Sequence, residues 1–202
     1  MLAATEIPLF PLNTVLFPGG LLPLRVFEQR YMQMAKACLR DGTPFGVCLI
    51  REGAEVGAAA TPEDVGCLAR ILHWDMQQLG LLQIVAQGEH RFRILDRRVQ
   101  SDGLALVRIE LLPEDADAPV PEKFRACSQL LERIVAEHGE RLFAKPFLLD
   151  SSAWVGARLA EVLPLPTAAR QKLLELGDSL QRLEILQRLL AEIAQTSNSS
   201  DQ

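Results

Sequence analysis

The stretch IPLFPLNTVLFPGGLLPLRVFEQRY, residues 7–31, contains the pattern that decides the fold. Its first 18 residues, Ile7–Leu24, carry no charge and match the length of a membrane-spanning helix. Four prolines and two glycines interrupt this run, which a continuous helix does not tolerate, so the run is not a membrane span. Because proline fixes φ and lacks a backbone donor, we expect edge strands and turns here, with Pro18-Gly19-Gly20 as a turn between two apolar runs.

The composition is that of a folded globular protein. The chain has 202 residues, of which 49% are hydrophobic, 5% aromatic and 23% charged. This apolar content excludes disorder over most of the length and is sufficient for a hydrophobic core. The net charge of −5 argues against a dedicated nucleic-acid binder, because such proteins usually carry a basic field.

The cysteines and the N-terminal charges indicate a compartment. The four cysteines are widely spaced and include no Cys-x-x-Cys pair, so we expect reduced, buried thiols at Cys38, Cys48, Cys67 and Cys127. No basic residue precedes the first apolar run, and Glu6 lies where a secretory signal is positively charged. These features predict a cytoplasmic location and no membrane association.

The chain changes character near residue 118. Before it, short strand-like segments are separated by Gly, Pro and Asp, and one helix ends at Gly42. The predicted strands are 45–50, 66–74, 81–87, 90–95 and 104–112. The alternation at 90–94 places Phe92 inward and Arg91 and Arg93 outward. Many short strands with one helix favour a small closed or nearly closed barrel.

A proline- and acid-rich segment, residues 113–121, predicts a linker to a helical region. Apolar stripes after it predict helices that begin near 124, at 152, after Thr167, and at Asp178 with Gln181 in a capping-box arrangement. The expected fold class is therefore α+β. A β pseudo-barrel subdomain occupies residues 1–118, a helical subdomain residues 119–196, and a disordered polar tail residues 197–202.

No motif for catalysis, nucleotide binding or metal binding is present. The sequence lacks a Gly-x4-Gly-Lys-Ser/Thr loop, a Gly-x-Gly-x-x-Gly turn and a Gly-x-Ser-x-Gly elbow. His73, His90 and His138 lie far apart and lack the spacing of metal ligands. We therefore expect no enzyme activity, no cofactor and no metal.

The N-terminal stretch resembles the start of the Lon protease N-terminal domain family, also called the Lon substrate-binding domain. The motifs that carry the resemblance follow the order Pro-Leu-Phe-Pro-Leu (8–12), Phe-Pro-Gly (17–19) and Pro-Leu-x-x-Phe-Glu-x-Arg-Tyr (23–31). Further similarity at 46–47, 66–71, 88–94 and in the helical part extends it to about residues 5–192. The resemblance implies a PUA-like pseudo-barrel followed by a helical subdomain. It also implies a stand-alone domain, since neither the ATPase module nor the Ser–Lys protease of a full Lon protease is in this sequence.

Two binding hypotheses follow, from different classes of function. In the first, the chain binds unfolded or apolar polypeptide segments, or a protein partner, through an adaptable patch. The candidate residues are Arg25, Glu28, Tyr31, Met32, Met76, Leu79 and Leu81. The alternative is that these side chains only build the fold, the polar ones as a fixed ion pair and hydrogen bond, and the apolar ones by packing barrel against helices.

The second hypothesis is RNA binding, because PUA-like barrels include RNA readers. The candidate residues are Arg91, Arg93, Arg97 and Arg98, the one local concentration of positive charge. The alternative is a solvated strand face with cross-strand ion pairs. The acidic net charge makes nucleic acid the less favoured partner, and the oligomeric state is open.

Overall fold

Seven strands and one helix occupy the chain up to Leu111 in the computed structural model, which describes residues 5–199. The strands are β1 (Thr5–Leu12), β2 (Leu21–Val26), β3 (Phe45–Glu52), β4 (Thr61–Pro62), β5 (Val65–Gln78), β6 (Leu81–Val99) and β7 (Ala105–Leu111), and the helix is α1 (Gln29–Asp41). The predicted strands 81–87 and 90–95 are one continuous strand, β6. It pairs with β2 and β5 in its first half and with β7 in its second half.

The strands close into a ring. The order β1-β7-β6-β5-β3 runs antiparallel throughout, and a parallel pairing between β1 and β3 closes it. β2 lies outside this ring and pairs with β6, while β4 pairs with β3. The predicted β-rich pseudo-barrel is confirmed, with β2 as an added strand on its wall.

The prolines of β1 differ from the expectation of edge positions, since β1 has neighbours on both sides. The two neighbours are staggered. β7 pairs with Thr5–Leu9 and β3 with Leu9–Leu12, so Leu9 alone is paired on both sides. Pro8 and Pro11 each lie in a half with one neighbouring strand, where the absent donor need not face a partner.

The first helix follows the prediction at its C-terminal end. Gly42 ends α1 in the left-handed conformation, with φ of 64°, and its amide donates to the Cys38 carbonyl. Phe27 precedes the helix, and Glu28 is the N-cap residue. One face of α1 packs against the barrel wall, and Met34 and Ala35 are fully buried there.

Helices dominate the chain after residue 121. They are α2 (Arg125–His138), α3 (Ser152–Val162), α4 (Thr167–Glu175) and α5 (Ser179–Ser199), with short 3-10 turns at Glu122–Phe124 and Gly139–Arg141. Barrel residues Val15, Phe17, Leu49 and Val65 belong to the same hydrophobic core as these helices. The helices are therefore packed directly onto the barrel, and the division at residue 118 stays a prediction.

The ends of the helices agree with local capping rules. The Asp178 carboxylate accepts hydrogen bonds from the amides of Leu180 and Gln181 at 2.9 and 3.0 Å, as an N-cap residue does. α5 continues to Ser199, past residue 197 where the polar tail is expected to begin, and the disorder of that tail stays a prediction. Residues 200–202 lie outside the described part of the chain. Within the described residues, no helix is both long enough and apolar enough to cross a membrane.

Candidate functional site

A groove of about 340 Å³ opens between β2, the start of α1 and the end of β1. The predicted binding residues Arg25, Glu28 and Tyr31 all line it. The other lining residues are Phe10, Leu12, Pro23, Leu24, Val26, Phe27, Glu55 and Val56. We call this cavity the barrel-end groove, and most of its wall is apolar.

Two polar residues of the groove, Glu28 and Tyr31, are held in place by Arg30, which is not among the predicted site residues. The Arg30 guanidinium lies 3.0 Å from the Glu28 carboxylate and 4.6 Å from the centre of the Tyr31 ring. On its other side Tyr31 stacks on Phe10, with ring centres 4.0 Å apart. Burial raises the pKa of Tyr31. Glu28 is thus paired with Arg30 rather than with Arg25, and Arg25 is left exposed on the strand.

The remaining predicted patch residues lie around the β5–β6 hairpin, with one exception. Leu79 is 95% exposed in the turn, and Leu81 and Met76 are half-buried. Met32 is 6% exposed and belongs to the core beneath α1, so its assignment to the exposed patch is wrong. Met32 lies on the buried face of α1 together with Met34, Ala35 and Cys38.

The groove and the hairpin are neighbours. Val26, the last residue of β2, pairs with Leu82, so the hairpin turn begins next to the exposed Phe27. The four most exposed large hydrophobic side chains among the described residues all lie in this region: Phe27 (58%), Val56 (58%), Trp74 (60%) and Leu79 (95%). We call these four residues the barrel-end surface. Two of them, Phe27 and Val56, line the groove, and two belong to the hairpin.

The four arginines of the RNA hypothesis do not form one exposed surface. Arg91 is 5% exposed, and its guanidinium donates to the carbonyls of Leu174 and Leu176 at 3.0 and 2.6 Å. The prediction that Arg91 faces solvent is wrong, because the helices cover that side of β6. Arg98 is exposed and paired with Glu6 at 2.7 Å.

Arg97 is half-buried and Arg93 is exposed. Of the four predicted arginines, Arg93 and Arg98 are therefore the ones that reach solvent freely, and Arg98 already has an acidic partner. The structure does not bring them together as a track for a phosphate backbone.

The Pro18-Gly19-Gly20 turn is fixed by two charged residues of α3. The buried Arg158 donates to the Pro18 carbonyl at 2.8 Å, and its Nε lies 2.9 Å from the Glu161 carboxylate. A side chain at Gly20 would overlap with Glu161 Oε1. Burial raises the pKa of Glu161 to about 7, although the nearby Arg158 lowers it in part. This turn therefore connects the barrel to helix α3 through buried polar contacts.

The chain matches the model of a known protein family along most of its length. The model of the ATP-dependent protease La (LON) substrate-binding domain matches residues 6–192. The chain belongs to the Lon substrate-binding domain family. The match includes β1, the Pro-Gly-Gly turn, the barrel and most of α5, so the predicted family is confirmed.

Individual members and solved structures agree with this assignment. A Lon N-terminal domain protein from Xanthomonas campestris is 38% identical, with a TM-score of 0.76, over 93% of this chain and 98% of that one. The N-terminal domain of the Mycobacterium avium complex Lon protease shares the fold, with a TM-score of 0.61 at 19% identity over 90% of this chain and 96% of that one.

The curated relatives are longer proteins. A Lon protease from Anaeromyxobacter dehalogenans is 30% identical over 96% of this chain, and protein cereblon from Danio rerio is 29% identical over 54% of it. The chain spans 24% of the first and 26% of the second. The family relationship therefore concerns the Lon substrate-binding domain and supports a role in substrate recognition.

Sequence reasoning missed Trp74, Phe27 and Val56 as surface residues of this Lon domain. Trp74 ends the predicted strand 66–74, and an exposed tryptophan near a hairpin turn is itself a signal for a contact surface. Across residues 5–199, no three His, Cys, Asp or Glu side chains converge as a metal site requires. The exposed apolar residues are accordingly the feature of the domain that calls for a functional explanation.

Proposed function

We propose that this Lon substrate-binding domain recognises unfolded or apolar polypeptide segments through the barrel-end surface, without catalysing a reaction itself. The observation that carries the proposal is where the four most exposed large hydrophobic side chains lie: Phe27 and Val56 line the groove, and Trp74 and Leu79 belong to the neighbouring β5–β6 hairpin. Single exposed hydrophobic side chains need no explanation, whereas several beside an apolar groove are typical of a protein-binding surface.

The side chains of this surface suit binding to varied segments. Leu79 lies in a turn closed by Gly80 at φ of 83°, and the half-buried Met76, three residues before Leu79, adds a flexible thioether. Phe27 and Trp74 offer rigid aromatic contact area at a low cost in conformational entropy. A surface of this kind binds apolar side chains with little demand on their order in the sequence.

Binding to a permanently unfolded protein tests the proposal. A reduced and carboxymethylated globular protein, labelled with a fluorophore, is titrated with the purified chain, and its native form serves as the competitor that should not bind. The double variant Phe27→Ser/Leu79→Ser should weaken binding at least about tenfold, because each side chain contributes on the order of 1 kcal/mol or more when its exposed area is buried.

A matched control removes the same number of exposed apolar groups elsewhere. Leu95→Ser/Leu148→Ser alters two residues that are 48% and 47% exposed, outside the barrel-end surface. This variant should bind like the unmodified chain. Equal loss in both double variants, or equal binding of native and unfolded protein, would contradict the proposal.

A further inference from the structure

Among residues 5–199, no strand pairs with the outer edge of β2, and a single antiparallel bridge joins the preceding residue, Gly20, to Phe143. On its inner side β2 pairs with β6 along its whole length. The Gly20 carbonyl faces β6, because it accepts from the Gly88 amide at 2.9 Å, while the Gly88 carbonyl accepts from the amide of Gly19. Residues whose backbone groups face the partner strand alternate along an antiparallel ladder. The backbone groups of Leu21, Pro23 and Arg25 therefore point away from β6 and lie on the open edge.

Two cavities follow this open edge. One is the barrel-end groove, and the other, of about 450 Å³, lies between β2 and residues 14–16 and extends to Leu142 and Val162 of the helical part. The two cavities share Leu12, Pro23, Leu24 and Glu55 as lining residues. We call the combined feature the β2 channel. Since β2 has six residues, the channel accompanies a strand of roughly 20 Å.

The walls of the channel favour neutral, apolar side chains. Leucine, valine, phenylalanine and proline line most of both cavities. The charged lining residues have opposite signs at each end, with Arg25 and Glu28 at one and Arg170 and Glu161 at the other, and Glu55 lies between. An occupant with strong charge of one sign would meet a like charge at either end.

We propose that the β2 channel binds a segment of another polypeptide in an extended conformation, which adds a strand to the open edge of β2. The inference rests on the proposed function and names its substrate class: segments of about six residues with apolar side chains at alternate positions. Alternate side chains of an extended segment point to one face, so one set enters the channel while the backbone bonds to β2. Such segments lie inside folded proteins and become exposed on unfolding.

Pro23 disfavours a second copy of this chain as the occupant. Two β2 strands that paired antiparallel across their centres would bring two prolines together, and neither has a donor for the other. A foreign segment without proline loses a single hydrogen bond at the same position. The open edge thus resists self-association and remains available to another polypeptide.

Backbone methylation of a peptide tests the proposal on the unmodified protein. The probe is a fluorescein-labelled octapeptide in which serine alternates with leucine or valine, and its affinity is measured by fluorescence anisotropy. Two further peptides carry N-methyl groups on the even or on the odd backbone amides, so each blocks one edge of the extended strand. One of them should lose at least about tenfold in affinity, and the other should stay within about twofold of the parent.

Variants of the open edge supply the second measurement. Pro23→Ala adds a donor to the open edge and should tighten peptide binding about threefold to tenfold. Arg25→Pro removes the outward-facing amide donor of residue 25 without removing a hydrogen bond to β6. Compared with Arg25→Ala, which removes the same charge but keeps the amide, it should bind the peptide about threefold to tenfold more weakly. Circular dichroism and urea midpoints verify that each variant is folded.

The outcomes separate this inference from the proposed function. Should the unfolded protein bind while both methylated peptides bind as the parent does, or lose affinity equally, strand addition is wrong and the proposed function stands. Absence of binding by both the unfolded protein and the octapeptide overturns both. A chain that sediments as a dimer and dissociates on Arg25→Pro would assign the open edge to a second copy, against the proposal.

Discussion

Asp115 offers the sharpest test of how the barrel and the helices are held together. It lies in the linker after β7, and its carboxylate accepts from Arg91 of β6 at 2.6 Å and from Arg182 of α5. The three side chains are 14%, 5% and 1% exposed, so the charges are largely removed from water. A single carboxylate thus joins the barrel, the linker and the last helix.

Asp115→Ala should lower the free energy of unfolding by about 3 kcal/mol. Removal of one partner from a buried ion pair costs about 3–5 kcal/mol, because the other charge stays buried without compensation. The carbonyls of Leu174 and Leu176 continue to accept from Arg91, and those of Leu173 and Leu176 from Arg182, which places the value at the lower end. Urea unfolding followed by tryptophan fluorescence and circular dichroism measures it.

The neighbouring residue provides the control. Glu114 is 81% exposed, and its partner His90, at 3.3 Å, is 49% exposed. Glu114→Ala should change the free energy of unfolding by less than about 0.5 kcal/mol, as exposed pairs contribute little. Asp115→Asn retains an acceptor oxygen and should fall between the two. A loss for Asp115→Ala no larger than that for Glu114→Ala would refute the reasoning.

Three further predictions concern other buried groups. Burial raises the pKa of Glu161 from 4.5 to about 7, so the folded state binds this proton more tightly than the unfolded state does. The free energy of unfolding should therefore fall by up to about 3 kcal/mol as the pH rises from 4.5 to 7. Glu161→Gln should flatten this pH dependence in urea titrations, and equal slopes for the variant and the unmodified chain would contradict the assignment. A side chain at Gly88 would overlap with the Phe17 carbonyl oxygen, so Gly88→Ala should cost about 3 kcal/mol in thermal or urea unfolding, whereas Gly177→Ala, whose nearest atom is 3.9 Å away, should be nearly neutral. Burial raises the pKa of the Cys67 thiol, and all four cysteines are buried, so a thiol reagent should label the chain only after unfolding; rapid labelling at neutral pH would show that the core opens.

Local chemistry accounts for what the sequence predicted well. Gly42 ends α1 because a residue without a side chain adopts positive φ freely, and Asp178 begins α5 because its carboxylate accepts from the first free amides. Ser151 likewise accepts from the Trp154 amide at the start of α3. These interactions reach three or four residues along the chain, so the pattern of residue types contains them.

The sequence does not show which residues are buried by an element far away in the chain. The alternation along β6 correctly places Phe92 on the inner face and Arg91 on the other face, but it cannot show that α4 and α5 cover that other face. Arg91 and Leu174 are 83 residues apart in the chain. In the same way, the sequence cannot show whether Met32 meets the barrel or a partner, and the structure places it in the core.

The N-terminal motif combines a structural part and a part available for recognition. At Gly20 an added side chain would meet the Glu161 carboxylate, and Arg158 of the same helix donates to the Pro18 carbonyl, so the turn before β2 is held against α3. Three residues later, Pro23 lies on the open edge of β2, where it adds no donor and discourages pairing between copies. The turn therefore positions a strand whose outer edge stays unpaired. Gly20→Ala has to displace the Glu161 carboxylate or shift the start of β2, and both line the β2 channel, so this variant should lose stability and polypeptide binding together. Phe27→Ser should lose binding alone.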